Sequence, residues 1–513
     1  MDSHAKLPLL TSKDGTKTDV EDIPPINGIK DFFVQFGVES KKLWYLAGPA
    51  ILTTVCQYSL GAITQTFAGH IGTLELAAFS IEHLVISSFS LGIMLGMCSA
   101  LETVCGQAFG AGQVDMLGIY LQRSWIILFV TGFIMMFVYI FVTPLLLLIG
   151  QTEAISHSTG KVALWMIPQI FAYAFHYPIT KFLQAQSKIM VMAYISVVAV
   201  VIHTLFSWLF MLKLGWGLGG GALVLNFSWW FIVIAEIIYI LSGTCGRAWS
   251  GLSWVTFSNF WGFVKLSIAS AVMLCLELWY FSVLMLIAGY LKNAEIAVDA
   301  LSICINILGW AGMIALGLNA AISVRLSNEL GVGHPRTAKF AILVVVISSS
   351  VIAVLFVALI SIFRKQYPSI FADSLEVQHA VYFLTPLLAI CIIFTNIQRT
   401  LTGVSVGAGW QSVIAYINIA CYYILGVPLG LCLGFAANWG YMDRGVDWNN
   451  GTSIDFEPIG IIRAQIRHSE LLSSLSLELR AQIFDLCFSE DDAFMTGKRI
   501  KEWSGEVEVE GER

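Results

Sequence analysis

Between residues 43 and 440 the chain carries only fourteen basic and twelve acidic side chains in 398 positions. That scarcity leaves few folds open. A soluble chain carries about 25% charged residues. Here the figure is 12% overall, with 57% hydrophobic residues and a mean hydropathy of +0.78. So little charge cannot coat a water-facing surface of this size, so the central section is a polytopic membrane domain. A soluble enzyme, a nucleic-acid binder and a disordered protein are excluded.

The remaining charge sits at the two ends. Residues 1–42 hold six basic and seven acidic side chains, and residues 441–513 hold eight and fifteen. The net charge of −6 is therefore a property of the last 73 residues and says nothing about a substrate. The ten cysteines, Cys56 to Cys487, stand singly, with no CxxC pair and no His/Cys cluster for a metal. They read as buried free thiols. The polar N-tail lacks the apolar core of a cleavable signal peptide, so the first spanning helix is expected to direct insertion. Within that tail, Leu7-Pro8-Leu9-Leu10 is either a sorting signal or a chance leucine pair.

About 20 apolar residues cross a bilayer as a helix. On that ruler eleven spans are expected, near 43–68, 76–104, 118–148, 159–182, 188–213, 219–242, 262–291, 296–323, 337–363, 378–402 and 411–435. The runs are continuously apolar, without the alternation of a membrane barrel, so the fold class is all-α. Basic residues set the orientation. With a cytosolic N-terminus, Arg123, Lys181, Lys188, Arg247, Lys265, Arg325, Arg336, Lys339 and Arg399 face the cytosol, against Lys161, Lys213, Lys292, Arg364 and Lys365 opposite.

An internal repeat organises these spans. Gly106-Gln107-Ala108-Phe109-Gly110-Ala111-Gly112 recurs in form as Ser327-Asn328-Glu329-Leu330-Gly331-Val332-Gly333, and Ala193-Tyr194-Ile195 recurs as Ala415-Tyr416-Ile417. The expected layout is a cytosolic N-tail (1–42), an N-lobe of spans one to six (43–243), a linker (244–261) and a C-lobe (262–440). Two parallel six-helix halves are a common transporter construction. The register calls for a twelfth span near residue 441. The chain instead reads Tyr441-Met442-Asp443-Arg444-Gly445-Val446-Asp447, so the twelfth helix is expected to be missing and 441–513 to be an unrelated charged tail. Spacing at Ile462, Ile466, Leu475, Leu479, Ile483 and Leu486 fits a surface helix, and a frameshifted or intron-derived exon fits equally well. Eleven spans would put the sequon Asn450-Gly451-Thr452 on the face away from the cytosol.

Glu277 is the sharpest single signal, an acid about fifteen residues into span seven, between Cys275-Leu276 and Leu278-Trp279. A carboxylate at that depth costs roughly 3 kcal/mol to insert and ordinarily faces a cavity or a partner. Low dielectric favours its neutral form, so such a group can load a proton on one side and release it on the other. Asn306 in span eight and Gln57-Tyr58 in span one are uncharged polar residues deep in apolar runs, suited either to helix–helix hydrogen bonds or to a cavity wall. Glu236, His176 and His203 are the other ionisable groups inside spans, read as interior hydrogen-bonded residues or as proton relays. Glu102 and Glu329 are expected as caps or gate contacts. Pro49 and Pro178 each remove a backbone donor. The glycine-rich run 106–112 has no preceding strand and no Lys-Ser/Thr after it, so it reads as a tight inter-helix turn rather than a phosphate loop.

Five motifs together carry a family resemblance over about residues 40–440. They are Gly48-Pro49-Ala50, Glu102-Thr103-Val104-Cys105-Gly106-Gln107-Ala108-Phe109-Gly110-Ala111, Leu276-Glu277-Leu278-Trp279, Val324-Arg325-Leu326-Ser327-Asn328-Glu329-Leu330-Gly331, and Leu401-Thr402-Gly403-Val404 with Gly409-Trp410-Gln411. The chain resembles plant multidrug and toxic compound extrusion (MATE) carriers of the DETOXIFICATION type, and Cys105 to Leu128 looks most like the vacuolar flavonoid carriers among them. The resemblance implies two six-helix lobes in a V around a central cavity, with organic solutes exchanged for protons. It implies proton binding at Glu277 with Asn306 and Asn396, and a cavity lined by Gln57, Tyr58, Tyr280 and Gln398. It also implies helix bending at Pro49. Many members carry an aspartate in span ten, three residues before a glutamine; here Thr395 stands there, ahead of Gln398. Coupling is then expected to rest on Glu277 alone among carboxylates. The further expectations are a monomer, in the vacuolar membrane with the plasma membrane as the alternative, with no cofactor beyond the coupling proton, no metal and no enzymatic activity. The alternative is a truncated, transport-inactive isoform.

Overall fold

The computed structural model describes residues 22–24, 26, 28–258, 260–288, 294–371, 374–426 and 428. The tail from 441 onward, including Asn450 and the amphipathic run, lies outside them.

The described chain is almost wholly helical. Its helices are α1 (Ile29–Ile71), α2 (Thr73–Ile81), α3 (Ser88–Gly110), α4 (Met116–Ile140), α5 (Val142–Leu148), α6 (Glu153–Ala185), α7 (Ile189–Ser207) and α8 (Gly217–Tyr239). They continue as α9 (Phe260–Ala288), α10 (Ala294–Val332), α11 (Pro335–Ile362), α12 (Pro368–Phe371), α13 (Leu375–Ala408) and α14 (Gln411–Asn418). Single π-helical turns at Glu82–Ser87, Trp208–Lys213, Ile240–Thr244 and Ile419–Gly426 join or extend them. Eight helical segments among the described residues are long and apolar enough to cross a membrane, and Phe260–Leu276 and Gln411–Leu425 are shorter apolar helices. The ends follow local chemistry. Pro335 opens α11, where its missing N–H is harmless, and Gly409 closes α13 at φ +81°.

The halves pack through their first two spans. α1 lies along α10, and α3 lies along α9 and α10, so each half contributes the same pair of helices to the junction. At one end of this junction the repeat meets its own copy. A Cβ on Gly106 would strike the Ser327 hydroxyl, one on Gly110 the carbonyl oxygen of Asn328, and one on Gly331 the carbonyl oxygen of Gln107. The motif is therefore not a turn, as its composition suggests. It is helix as far as Gly110, and only residues 111–115 form the turn. The glycines serve backbone-to-backbone approach, as small residues do at membrane helix crossings.

The linker is pinned to α4. Gln122 donates to Gly251 O at 2.9 Å and accepts from Ser253 N and Thr256 Oγ1 at 2.9 and 3.1 Å, and Arg123 Nε donates to Thr256 O at 3.0 Å. The N-tail is tied to the opposite half. Asp22 accepts from the backbone N–H groups of Arg336 and Thr337 at 2.8 and 2.9 Å and from Thr337 Oγ1 at 2.7 Å, capping α11 from a distant part of the chain. Partial burial pushes the Asp22 carboxyl up, but the four hydrogen bonds from Thr337, Arg336 and Ile23 outweigh it and hold the group below its ordinary value of 3.8. A carboxyl depressed by folding stabilises above its ordinary range and loses that contribution as pH falls through the lowered value. The latch is thus closed at any pH above about 4. Asp22→Ala is expected to raise hydrogen exchange at the Arg336 and Thr337 amides about fivefold, the loss of roughly 1 kcal/mol of capping, at neutral pH. Unchanged exchange would show that the cap adds nothing.

Candidate functional site

Two aromatic contacts bridge the lobes across the junction. Tyr58 of α1 meets Trp310 of α10 edge-on, with ring centroids 5.1 Å apart, and Phe89 of α3 stacks on Trp279 of α9 at 5.2 Å. They are copies of one another. Tyr58 and Trp279 are 221 residues apart, as are Phe89 and Trp310, the same spacing that relates Gly106 to Ser327. Trp310, Trp279 and Phe89 are each more than a third exposed. Asn306 lies one turn before Trp310 and is also exposed, so both line the face of α10 that Tyr58 approaches.

Gln57, next to Tyr58, points elsewhere. It reaches into the N-lobe, where its Nε2 lies 3.1 Å from His176 Nε2 and donates to Ser196 Oγ at 3.5 Å. His176 Nδ1 in turn lies 2.9 Å from Glu236 Oε2, and both side chains are 1% exposed. Thr180 Oγ1 lies 3.3 Å from the same Nε2 that faces Gln57, and Glu236 Oε1 is buried without a hydrogen-bond partner. Three spans thus converge on one ionisable pair. This pairing was not legible in the sequence, where His176 and Glu236 are single polar residues in separate apolar runs. His203 fits its interior reading, held between Thr64 Oγ1 at 3.0 Å and Ser228 Oγ at 2.9 Å.

In the C-lobe the described backbone places Glu277 well inside α9, between Leu276 and Leu278. Span eleven fastens the turn before it: Asn418 Nδ2 donates to Met273 O and Tyr423 OH to Leu276 O, both at 3.1 Å. Tyr423 stands in the π-helical turn Ile419–Gly426, a distortion frequent at functional sites. Its neighbour Tyr422 accepts from Gln398 Nε2 at 2.7 Å. Gln398, expected in the cavity wall, is 1% exposed and lies within the lobe. Asn396 is also buried, and its amide donates to Ile392 O of its own helix at 2.7 Å. Tyr280 follows Glu277 by three residues on α9. Pro49 lies within α1, which continues through it; Thr53 Oγ1 donates to Pro49 O at 2.8 Å.

The glycine-seam end is closed by polar contacts between elements of both lobes. Gln411 Nε2 donates to Thr103 Oγ1 at 2.7 Å, Thr103 Oγ1 donates to Val406 O, and Asn328 Nδ2 donates to Ala185 O at 3.3 Å. Glu102 pairs with Lys181 at 2.6 Å, their side chains 3% and 11% exposed. Arg325 pairs with Glu39 at 2.7 Å and with Glu329, which also meets His334 at 2.9 Å. The two acids expected as gate contacts are both in ion pairs at this end. Lys181→Ala would leave the Glu102 carboxylate buried without a counter-charge, a loss of roughly 3–5 kcal/mol. The expected result is a markedly lower melting temperature in detergent, with most of it recovered in the Glu102→Gln/Lys181→Ala double variant. Equal melting of single and double variants would deny the pair that weight.

A helical bundle of two repeat-related lobes, bridged by aromatics and sealed at one end, is the architecture of a membrane carrier. The chain belongs to the MatE family, whose sequence model matches residues 49–209 and 269–432. Protein DETOXIFICATION 31 of Arabidopsis thaliana is 58% identical over 484 residues, covering 94% of this chain and 89% of that protein. Protein DETOXIFICATION 30 of the same plant is 56% identical over 490 residues, covering 95% and 94%. Among solved structures, the eukaryotic MATE transporter AtDTX14 superposes with a TM-score of 0.79 at 31% identity, over 87% of this chain and 96% of that one. The protein is thus a multi-pass efflux transporter of the MATE family, not an enzyme.

Proposed function

We propose that the chain is an antiporter that expels planar organic solutes, flavonoid glycosides among them, from the cytosol in exchange for protons. The observation that carries this reading is the acid seated within α9, whose preceding turn is fastened by Asn418 and Tyr423. An ionisable group at that depth marks an ion or proton pathway. Asn306, Asn396 and Gln398 are its proposed polar neighbours, and Pro49 the bend in α1. The paired aromatics supply flat, partly exposed faces suited to stacking on a planar ring. The basic end is assigned to the cytosol, which puts the sealed seam on the cytosolic side. Retention in the vacuolar membrane as a monomer completes the proposal.

The test is flux into liposomes holding the purified full chain, with cyanidin 3-glucoside and ethidium as planar probes. Uptake of either probe driven by a pH gradient, and not by a sodium gradient, is the expected result. Drive by sodium alone would overturn proton coupling, and no flux under either gradient would favour the transport-inactive alternative.

A further inference from the structure

We propose that the N-lobe holds a proton-binding site of its own, formed by His176 and Glu236 and sensed by Gln57. The proposal deepens the reading of the chain as a proton-driven carrier. It rests on a group of residues separate from Glu277.

Three observations carry it. The pair is fully enclosed, with His176 Nδ1 at 2.9 Å from Glu236 Oε2 and both residues 1% exposed. The second carboxylate oxygen, Oε1, is buried with no hydrogen-bond partner. A carboxylate oxygen buried without a partner is costly, and a proton taken up by the pair removes its net charge from the low-dielectric interior. Lastly, the repeat relates this cluster to the C-lobe site. His176 corresponds to Gln398 at the 222-residue spacing of Ala193 and Ala415, and Cys56, beside Gln57, corresponds to Glu277 at 221. Spans one and four, which carry Gln57 and His176, are thus the repeat counterparts of spans seven and ten, which carry Glu277 and Gln398, while Glu236 comes from span six.

Imidazole with carboxylate leaves the pair at −1, and one proton from solvent brings it to zero, as imidazolium with carboxylate or as imidazole with carboxylic acid. Gln57 serves both states. Its amide N–H donates to a neutral Nε2, and its amide oxygen accepts from an Nε2–H once the ring is charged. Tyr58, the next residue on α1, is one half of the bridge to Trp310. The state of the pair is therefore one residue away from the inter-lobe contact. Other titratable groups on the helices packed around the pair include Cys56 and Tyr58 on α1, Cys98 and Glu102 on α3, Tyr139 on α4, Tyr173, Tyr177 and Lys181 on α6, and His203 on α7. Glu102 and Lys181 neutralise each other at 2.6 Å, and Tyr173 is bonded to Gln169. Glu82, in the π-helical turn after α2, is also buried.

The experiment is infrared difference spectroscopy of the full chain in lipid nanodiscs, titrated between about pH 5 and pH 8, the range in which histidine-linked protons exchange. Carboxyl and imidazolium bands are followed in wild type, Glu236→Gln, His176→Gln, Glu277→Gln and Gln57→Leu. The expected result is that Glu236→Gln and His176→Gln each abolish the same titrating component and leave the Glu277 component in place, while Glu277→Gln does the converse. Gln57→Leu keeps the N-lobe component and moves its midpoint, which protects the test should either pair variant fail to fold. Titration curves of Glu236→Gln or Gln57→Leu that superimpose on wild type would show a permanently ionised structural bridge and overturn the proposal. An intact N-lobe component in a protein without proton-driven flux would sink the carrier reading and leave this site standing.

Discussion

Glu277→Gln is expected to reduce solute flux driven by a pH gradient to the level of empty liposomes, while expression, insertion and melting temperature stay at wild-type values. Glutamine matches the shape of a protonated glutamic acid and keeps its hydrogen-bonding capacity, so the fold loses nothing. What it cannot do is ionise. A carrier that depends on releasing a proton from this position then halts with the site permanently neutral. Glu277→Asp retains the acid on a shorter arm and is expected to keep part of the flux, which separates loss of titration from loss of packing. Wild-type flux in the glutamine variant would remove Glu277 from the mechanism and shift the burden to the N-lobe pair.

The second large effect is expected at the seam. Gly110→Val places a branched side chain against the Asn328 carbonyl, where even a Cβ finds no room. The change lies between two rigid helices and cannot be absorbed by a rotamer shift, so the helices must part. The predicted outcome is a folded, inserted protein that cannot close its basic end, with flux at background. Cys105, five residues earlier on α3 and fully buried, reports the change. Its labelling by a membrane-impermeant maleimide, followed by peptide mass mapping, should rise at least about tenfold over wild type, the reach of roughly 1.4 kcal/mol of lost closure. Slow labelling with normal flux would mean that the seam tolerates a gap and does not act as the seal.

Much of this architecture was open to reading in advance because it depends on depth and periodicity. Charge scarcity requires the bilayer, apolar run lengths mark the helices, and the 221-residue repeat pairs the halves. The same repeat points to Gly106 and Gly331, but their composition suggests a turn. Their helical role becomes visible only when the two copies are seen in contact. The His176–Glu236 pair was hidden for another reason. In a membrane helix the lipid face and the protein face are both apolar, so the pattern that tells inside from outside in a soluble helix is absent. Sequence then gives the depth of His176 without its direction. Gln57 shows the same limit: it and Tyr58 are adjacent, yet one turns into its own lobe and the other toward the opposite one.

If the proposed function holds, the aromatic bridges bear on how a planar solute would lie. Their backbones obey a twofold relation, but their chemistry does not: one has a phenol set edge-on to an indole, the other a phenyl ring flat on an indole. Under the proposed function, a flat guest would meet a phenol with an indole on one side and a phenyl ring with an indole on the other. Turning such a guest end over end would not be equivalent, so the junction is handed even though its repeat is symmetric.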